Sequence, residues 1–281
     1  MPWDIKSLEK RAAQLRARLV EMSHISRASH LGSALSCVDI LTALYWHTLD
    51  IGPANIGDHD RDRFILSKGH AISALYAVLA AKGIWDEDLL KTYCAPGSSL
   101  AEHPVPFDPP GVETATGSLG HGLSLGLGMA LAGRIQQQDY QVYVLGSDGE
   151  CNEGSVWEAA MQAAAKRVSN LCMIVDFNKW QATGRSCDVA ALEPLRVKWA
   201  AFGWDSVEVD GHDMAALVKT LDRSSKERDR PMAIIAHTVK GKGVSFMEDD
   251  NNWHYRIPTR EEVALAWQEL GITDAGLRMV T

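Results

Sequence analysis

Asp148 and Asn178 combine residue types and spacing suited to chemistry. Asp148 lies in Gly146-Ser147-Asp148-Gly149-Glu150, directly after the apolar run Val142-Tyr143-Val144-Leu145. Asn178 lies in Asp176-Phe177-Asn178, directly after Leu171-Cys172-Met173-Ile174-Val175. Each run reads as a buried strand, and the stretch Ser155 to Val168 between them reads as a helix. A β-α-β unit carries its ligands at the carboxyl ends of its strands, so the two side chains meet there. A carboxylate and an amide oxygen that leave coordination positions open suit Mg²⁺ already holding a diphosphate, with Ca²⁺ or Mn²⁺ as substitutes. Taken alone, the pair also reads as a helix cap at Asp148 and a turn at Asn178.

Several further elements must position this pair. Ile5 to about Ala28 has helical periodicity, with Ile5, Leu8, Ala12, Leu15 and Leu19 on one face. Cys37 to Leu49 and Ala71 to Lys82 read as helices, separated by a polar loop from Gly52 to Arg63. Pro104, Pro106, Pro109 and Pro110 mark an irregular segment, and Gly117 to Gln138 begins with small residues and becomes helical. Strands are predicted at Gln141–Leu145, Asn170–Asp176, Trp204–Val209 and Met232–His237, with a last helix from Arg260 to Leu270. Alternation of strands and helices predicts an α/β fold, a parallel sheet flanked by helices on both faces. The chain shows neither a G-x-G-x-x-G stretch after a strand nor a G-x-x-x-x-G-K-[ST] loop, which disfavours nicotinamide dehydrogenases and P-loop ATPases.

Seven short motifs occur in order along the chain. They are Ser29-His30-Leu31-Gly32-Ser33, Leu66-Ser67-Lys68-Gly69-His70, Glu102-His103-Pro104, Thr116-Gly117-Ser118-Leu119-Gly120-His121-Gly122, Ser147-Asp148-Gly149-Glu150-Cys151-Asn152-Glu153-Gly154, Asp176-Phe177-Asn178, and Lys240-Gly241-Lys242-Gly243 with Trp253-His254. In this order and spacing the chain resembles the N-terminal, diphosphate-binding part of transketolase, from about Ile5 to about Arg260. The resemblance implies a single diphosphate-binding domain over residues 1–281 and thiamine diphosphate with Mg²⁺ as cofactors. It implies Asp148, Asn178 and the Trp180 carbonyl as metal ligands, and His70, Gly117, Ser118, Leu119, Gly149, Glu150, Asn178, Lys240 and His254 as cofactor contacts. His30, His70, His103 and His254 match the catalytic histidines above the thiazolium, and His30, Lys68, His103 and His254 match substrate contacts. Imidazoles can move the C3-hydroxyl proton that ketose cleavage must remove. Glu153 and Glu158 match acids linking the two active sites of the transketolase dimer, though Glu158 also reads as a helix-surface charge. Gly120, Gly126 and Gly128 read only as turn-formers. Departures from the family pattern are Ser147 for Gly, Lys179 for Asn or Gly, and His121 for Gln.

The glutamate that activates thiamine diphosphate in the family belongs to a pyrimidine-binding domain C-terminal to this region, and the chain stops at Thr281. The chain is therefore expected to be one chain of a split enzyme or a piece of a longer protein. A Met at the start and a capping helix near the end favour the former. The expected partner is a C-terminal transketolase subunit carrying the pyrimidine-binding and C-terminal domains, with two copies of each chain. The expected reaction transfers a two-carbon ketol unit from a sugar or sugar phosphate. Pentose phosphates, an apiose-type branched ketose phosphate and a sulfonated ketose all remain open as donors. The alternatives are the diphosphate-binding subunit of a 2-oxo acid dehydrogenase or decarboxylase, and a non-catalytic cofactor-binding module.

Composition narrows the classes. With 46% apolar and 23% charged residues, the 281-residue chain has an ordinary globular profile. A formal charge of −8 offers no footprint for nucleic acid. No apolar run approaches the roughly 20 residues that cross a bilayer, and the N-terminus lacks a signal-peptide core. Five scattered cysteines without metal-ligand spacing predict reduced thiols and a cytoplasmic protein.

Overall fold

A computed structural model describes residues 4–106, 110–224 and 228–273. Its centre is a five-stranded, all-parallel sheet in the order β1-β2-β3-β5-β4. In chain order the elements are α1 (Ile5–Ser26), α2 (Leu31–Ser36), α3 (Val38–Ala43), β1 (Arg63–Leu66), α4 (Ile72–Ala81), α5 (Gly122–Gln136), β2 (Val142–Ser147), α6 (Gly154–Ala165), β3 (Leu171–Phe177), α7 (Ser186–Val189), α8 (Leu195–Ala201), β4 (Asp205–Asp210), α9 (Met214–Ser224), β5 (Met232–His237) and α10 (Arg260–Glu269). A π-helical turn, Leu44–Thr48, follows α3.

The inner strands are apolar along their length because both faces are covered. Tyr143, Leu145, Cys172, Ile174, Ile234 and Ala236 point into a core shared with α1–α4, α9 and α10. The alternate residues Val142, Val144, Met173, Val175, Ala233 and Ile235 point into a second core shared with α5, α6 and α8. This period of two on a doubly covered sheet is the predicted architecture. Helix α1 begins at Asp4, whose side chain accepts the Ser7 N–H at 2.9 Å, and ends at the left-handed Arg27. Thr259 and Glu262 close a reciprocal capping box at the start of α10.

The strand predicted at Trp204–Val209 is β4, shifted by one residue, on the sheet edge where its burial is incomplete. Two elements escape the sequence pattern. Strand β1 is only four residues long, too short for periodicity to register, and it forms an edge of the sheet beside β2. Helix α2 is six residues long and fully buried, so it presents no amphipathic face. Of the described helices, none is long and apolar enough to cross a membrane.

Candidate functional site

Strands β2 and β3 run in register, pairing Ser147 with Asp176, so their carboxyl ends are level. Asp148 and Asn178 follow directly, and both are buried. Asp148 Oδ1 accepts the Gly149 N–H at 2.9 Å, and Oδ2 accepts the Ser186 hydroxyl at 2.7 Å. Burial pushes the Asp148 carboxyl up to about 6 despite these donors. Asn178 Oδ1 accepts the Trp180 N–H at 3.0 Å, and its amide group donates to Ser36 Oγ at 3.4 Å. No cluster of three or more His, Cys, Asp or Glu among the described residues could hold a metal unaided. A sparse carboxylate–amide pair fits a hard cation that brings phosphate oxygens with it.

Beneath the pair lies a buried charged layer. Lys68 and Asp176 have no exposed side-chain surface and form an ion pair; Thr238 and Ser36 also donate to the Asp176 carboxylate. Lys68 donates further to the Ser33 carbonyl at 2.8 Å. Burial opposes its charge, but Asp176 overcomes this and holds the ammonium pKa above its ordinary value. Lys68, expected to face substrate, is fully buried, and its hydrogen bonds go to Asp176 and the Ser33 carbonyl. Sequence reasoning passed over Asp176; the signal that could have found it is a charge inside an apolar strand, a pattern that demands a buried partner.

The Glu150 carboxylate also turns inward. It accepts the Ser67 hydroxyl, the Gly120 N–H at 2.9 Å and the Ser147 N–H at 3.0 Å, binding three loops together. Three protein donors thus occupy the carboxylate that the resemblance assigns to the cofactor. Ser147 is accommodated because its hydroxyl accepts the Glu150 N–H at 3.3 Å. Lys179 takes a left-handed backbone (φ 69°), with its ammonium 5.8 Å from the Phe177 ring centre. His121 is exposed, its Nδ1 contacting the Leu119 carbonyl at 3.2 Å. Ser118 is exposed and Leu119 half-buried on the same loop. Gly120 does make a turn (φ 84°), but Gly126 lies within α5, where a Cβ would come 2.5 Å from Val144. Gly128 lies within the same helix and faces open space, so neither Gly126 nor Gly128 forms a turn.

The four histidines converge. Ring centres lie 4.9 Å apart for His30–His254, 5.6 Å for His30–His70, and 5.9 Å for both His30–His103 and His70–His254. Gly117 (φ 133°) makes room beside them, since a Cβ there would lie 2.7 Å from His103 Cδ2. The His30 backbone is left-handed (φ 69°), and its N–H donates to the His254 carbonyl at 2.7 Å. Ser29 Oγ donates to Glu102 Oε1 at 2.6 Å and lies 3.0 Å from His30 Nδ1. With the serine proton committed to Glu102, His30 donates through Nδ1–H and keeps a bare Nε2. Lys240 donates to His254 Nδ1 at 3.1 Å, which leaves the hydrogen of neutral His254 on Nε2. Burial, reinforced by Lys240, lowers His254 to about 3, so it stays neutral. Burial also lowers His30, partly offset by Glu102, and holds His70 well below its ordinary value. Lys240 is lowered to about 8 by burial and by Lys68. The result is three imidazoles, His30, His70 and His254, held toward the neutral form beside a buried ammonium.

The chain itself matches a known family. The family model of the transketolase thiamine diphosphate binding domain matches residues 8–279. The chain belongs to the transketolase family. It is 42% identical over 266 residues to one of the subunits of the apulose-4-phosphate transketolase of Phocaeicola vulgatus, covering 95% of this chain and 94% of that protein. A 6-deoxy-6-sulfo-D-fructose transketolase subunit of a Clostridium species is 38% identical over 263 residues, covering 94% of this chain and 96% of that protein. The transketolase of Leishmania mexicana superposes with a TM-score of 0.89 at 26% identity, covering 99% of this chain but 44% of that one. The chain is thus the thiamine diphosphate-binding part of a transketolase, a family of thiamine diphosphate-dependent transferases, and spans less than half of that transketolase of known structure. The family assignment displaces the 2-oxo acid dehydrogenase alternative.

Proposed function

We propose that this chain is the diphosphate-binding subunit of a two-chain transketolase that moves a two-carbon ketol unit from a ketose or ketose phosphate to an aldose or aldehyde. The convergence of four imidazoles beside the Asp148–Asn178 pair carries the reading. Mg²⁺ would be held by the side chains of Asp148 and Asn178 and by the Trp180 carbonyl, with diphosphate oxygens completing its shell. Gly117, Ser118, Leu119 and Gly149 would line the cofactor, and Lys240 would offset diphosphate charge. Thiamine diphosphate, when bound, supplies the carbanion and electron sink that cleavage beside a carbonyl requires.

The chain's own residues divide the remaining work. His30 takes the C3-hydroxyl proton at its bare Nε2, oriented through Nδ1 by Ser29 and Glu102. His254 donates a hydrogen bond from Nε2–H, which suits it to hold a substrate hydroxyl. His103, exposed beside Gly117, faces the incoming sugar, while His70 packs against His30 and His254. His30 or His103 replaced by Ala is expected to lower turnover far more than cofactor binding.

The partner would be a second chain carrying the pyrimidine-binding and C-terminal domains, two copies of each chain forming the assembly. Relatives named as transketolase subunits support this division. The outward face of α5 supports pairing of two copies: His121, Ser124, Leu125 and Gly128 are exposed at helical spacing and carry no acid or lysine. Glu158 and Met161 are exposed on neighbouring α6, and Glu153 is exposed just before it. All five cysteines are free, as a reducing compartment such as the cytoplasm would leave them.

The test is to purify the chain with its neighbouring open reading frame's product and titrate thiamine diphosphate and Mg²⁺ while following ketol transfer. Apulose 4-phosphate and 6-deoxy-6-sulfofructose head the substrate panel. Cofactor-dependent transfer only in the pair is the expected result. A pair that binds thiamine diphosphate but transfers from no ketose would leave the non-catalytic module as the better reading.

A further inference from the structure

Asp249 sits where two loops of the site meet. Its backbone is left-handed (φ 58°), a conformation that short polar side chains tolerate best after glycine. Its N–H donates to the Lys240 carbonyl at 2.8 Å, tying it to the loop that carries Lys240 and His254. Its carboxylate reaches the other way. Oδ1 accepts Trp180 Nε1–H at 2.8 Å and Arg185 Nη1–H at 2.6 Å, while Oδ2 accepts Arg185 Nη2–H at 2.6 Å. The Arg185 guanidinium also lies 3.8 Å from the Trp180 ring centre.

Trp180 and Arg185 face each other across a small antiparallel turn, closed by Gln181 N–H to the Gly184 carbonyl at 2.8 Å and Ser186 N–H to the Lys179 carbonyl at 3.0 Å. One end of the turn gives the Trp180 N–H to Asn178 Oδ1; the other gives the Ser186 hydroxyl to Asp148 Oδ2. Both ends therefore touch the proposed metal ligands. Asn251 makes a parallel tie: it accepts from Lys240 Nζ at 2.7 Å and donates to the Ala182 carbonyl at 3.1 Å. An exposed ion pair adds little to folding, about 0–1 kcal/mol. A bidentate Arg–carboxylate contact is nonetheless geometrically exacting. Here it fixes a turn whose register decides where the Trp180 carbonyl and the Asn178 oxygen point.

We infer that Asp249 is a positioning residue for the metal–diphosphate cradle, clamping Trp180 and Arg185 against the Lys240–His254 loop. The inference rests on the proposed function and deepens it. The test uses the purified two-chain complex, with Mg²⁺ titrated by calorimetry at fixed thiamine diphosphate and ketol transfer followed in parallel. Asp249→Ala and Arg185→Met are each expected to raise half-saturating Mg²⁺ about 10-fold, and the double variant no further. Turnover at saturating Mg²⁺ and cofactor should stay within about two-fold of the parent, a split that loss of fold would not produce. Asp249→Asn keeps an acceptor for Trp180 Nε1 but loses the charge, and should fall between. Unchanged Mg²⁺ affinity in Asp249→Ala of an active complex overturns this inference alone. So does a parallel fall of turnover, affinity and melting temperature, which would mark a fold contact. A parent complex that binds no thiamine diphosphate and Mg²⁺ overturns the functional reading and this inference with it.

Discussion

At His30 the proposed chemistry depends on which ring nitrogen carries the hydrogen. The Ser29–Glu102 relay puts it on Nδ1, and Glu102 partly offsets the lowering of the imidazole by burial. Activity that needs neutral His30 is lost as pH falls through its pKa. Glu102→Gln removes the charge that raises this pKa, so the acid limb of kcat/KM should move to lower pH while kcat falls roughly 10-fold or more, read from a pH–rate profile. Lys240 obeys the opposite sign. Its ammonium is lowered to about 8, and a diphosphate favours the charged form, so cofactor affinity should weaken as pH rises through about 8. Lys240→Met should abolish that dependence and remove about 1.5–3 kcal/mol of binding, measured by titration calorimetry. At this scale the convergence of the four histidines was legible because their flanking motifs were. The buried fates of Lys68 and Glu150 were not, because a charged residue in a glycine-rich loop gives no sign of whether it turns inward. Asp249 was silent too, since its partners lie 64 and 69 residues away in sequence.

Among the elements, α1, α3 and the loops after β4 and β5 are joined through one buried acid. Asp39 accepts Arg16 Nη1 at 3.0 Å and His212 Nδ1 at 2.7 Å, while His212 Nε2 accepts the Val239 N–H at 2.8 Å. The last bond assigns the imidazole hydrogen to Nδ1, so His212 holds the residue before Lys240 without needing a charge. Burial acts to raise the Asp39 carboxyl, but Arg16 and His212 prevail and its pKa lies below the ordinary value. A depressed carboxylate stabilises the fold above its unfolded pKa of about 3.9 and loses that contribution as pH falls through the folded value. Asp39→Asn should therefore lower stability by about 3–5 kcal/mol near neutral pH, with parent and variant converging only as pH falls below the ordinary carboxylate range in denaturant titrations. The long, strongly patterned elements were readable: α1, β2, β3 and β5 fall where apolar spacing puts them. β1 and α2 were not, because four and six residues hold too little periodicity to separate from their surroundings.

For the whole molecule, the outward face of α5 formed by His121, Ser124, Leu125 and Gly128 bears on assembly. Leu125 is 39% exposed on α5 and Met161 is 52% exposed on α6, the helix packed beside it. If this face joins two copies, Leu125→Glu should halve the mass of the assembled complex by light scattering and reduce ketol transfer, while leaving the isolated chain's melting temperature nearly unchanged. An intact assembly in that variant would move the contact elsewhere. The fold class was legible at this scale from strand–helix alternation, whereas the choice of outward surfaces was not, because exposure is a property of packing and leaves no period of its own.

The crossed imidazoles of His30 and His254, 4.9 Å apart at 88°, have opposite hydrogen-bond sense: a lone pair on one Nε2 and an N–H on the other. A substrate hydroxyl lodged between them must donate to the first and accept from the second. Its O–H is then aimed before any bond breaks, and a single hydrogen is in flight. When cleavage limits the rate in mixtures of light and heavy water, velocity should fall along a straight line with deuterium fraction. A bowed line would mean that the Ser29 hydroxyl proton moves in the same step.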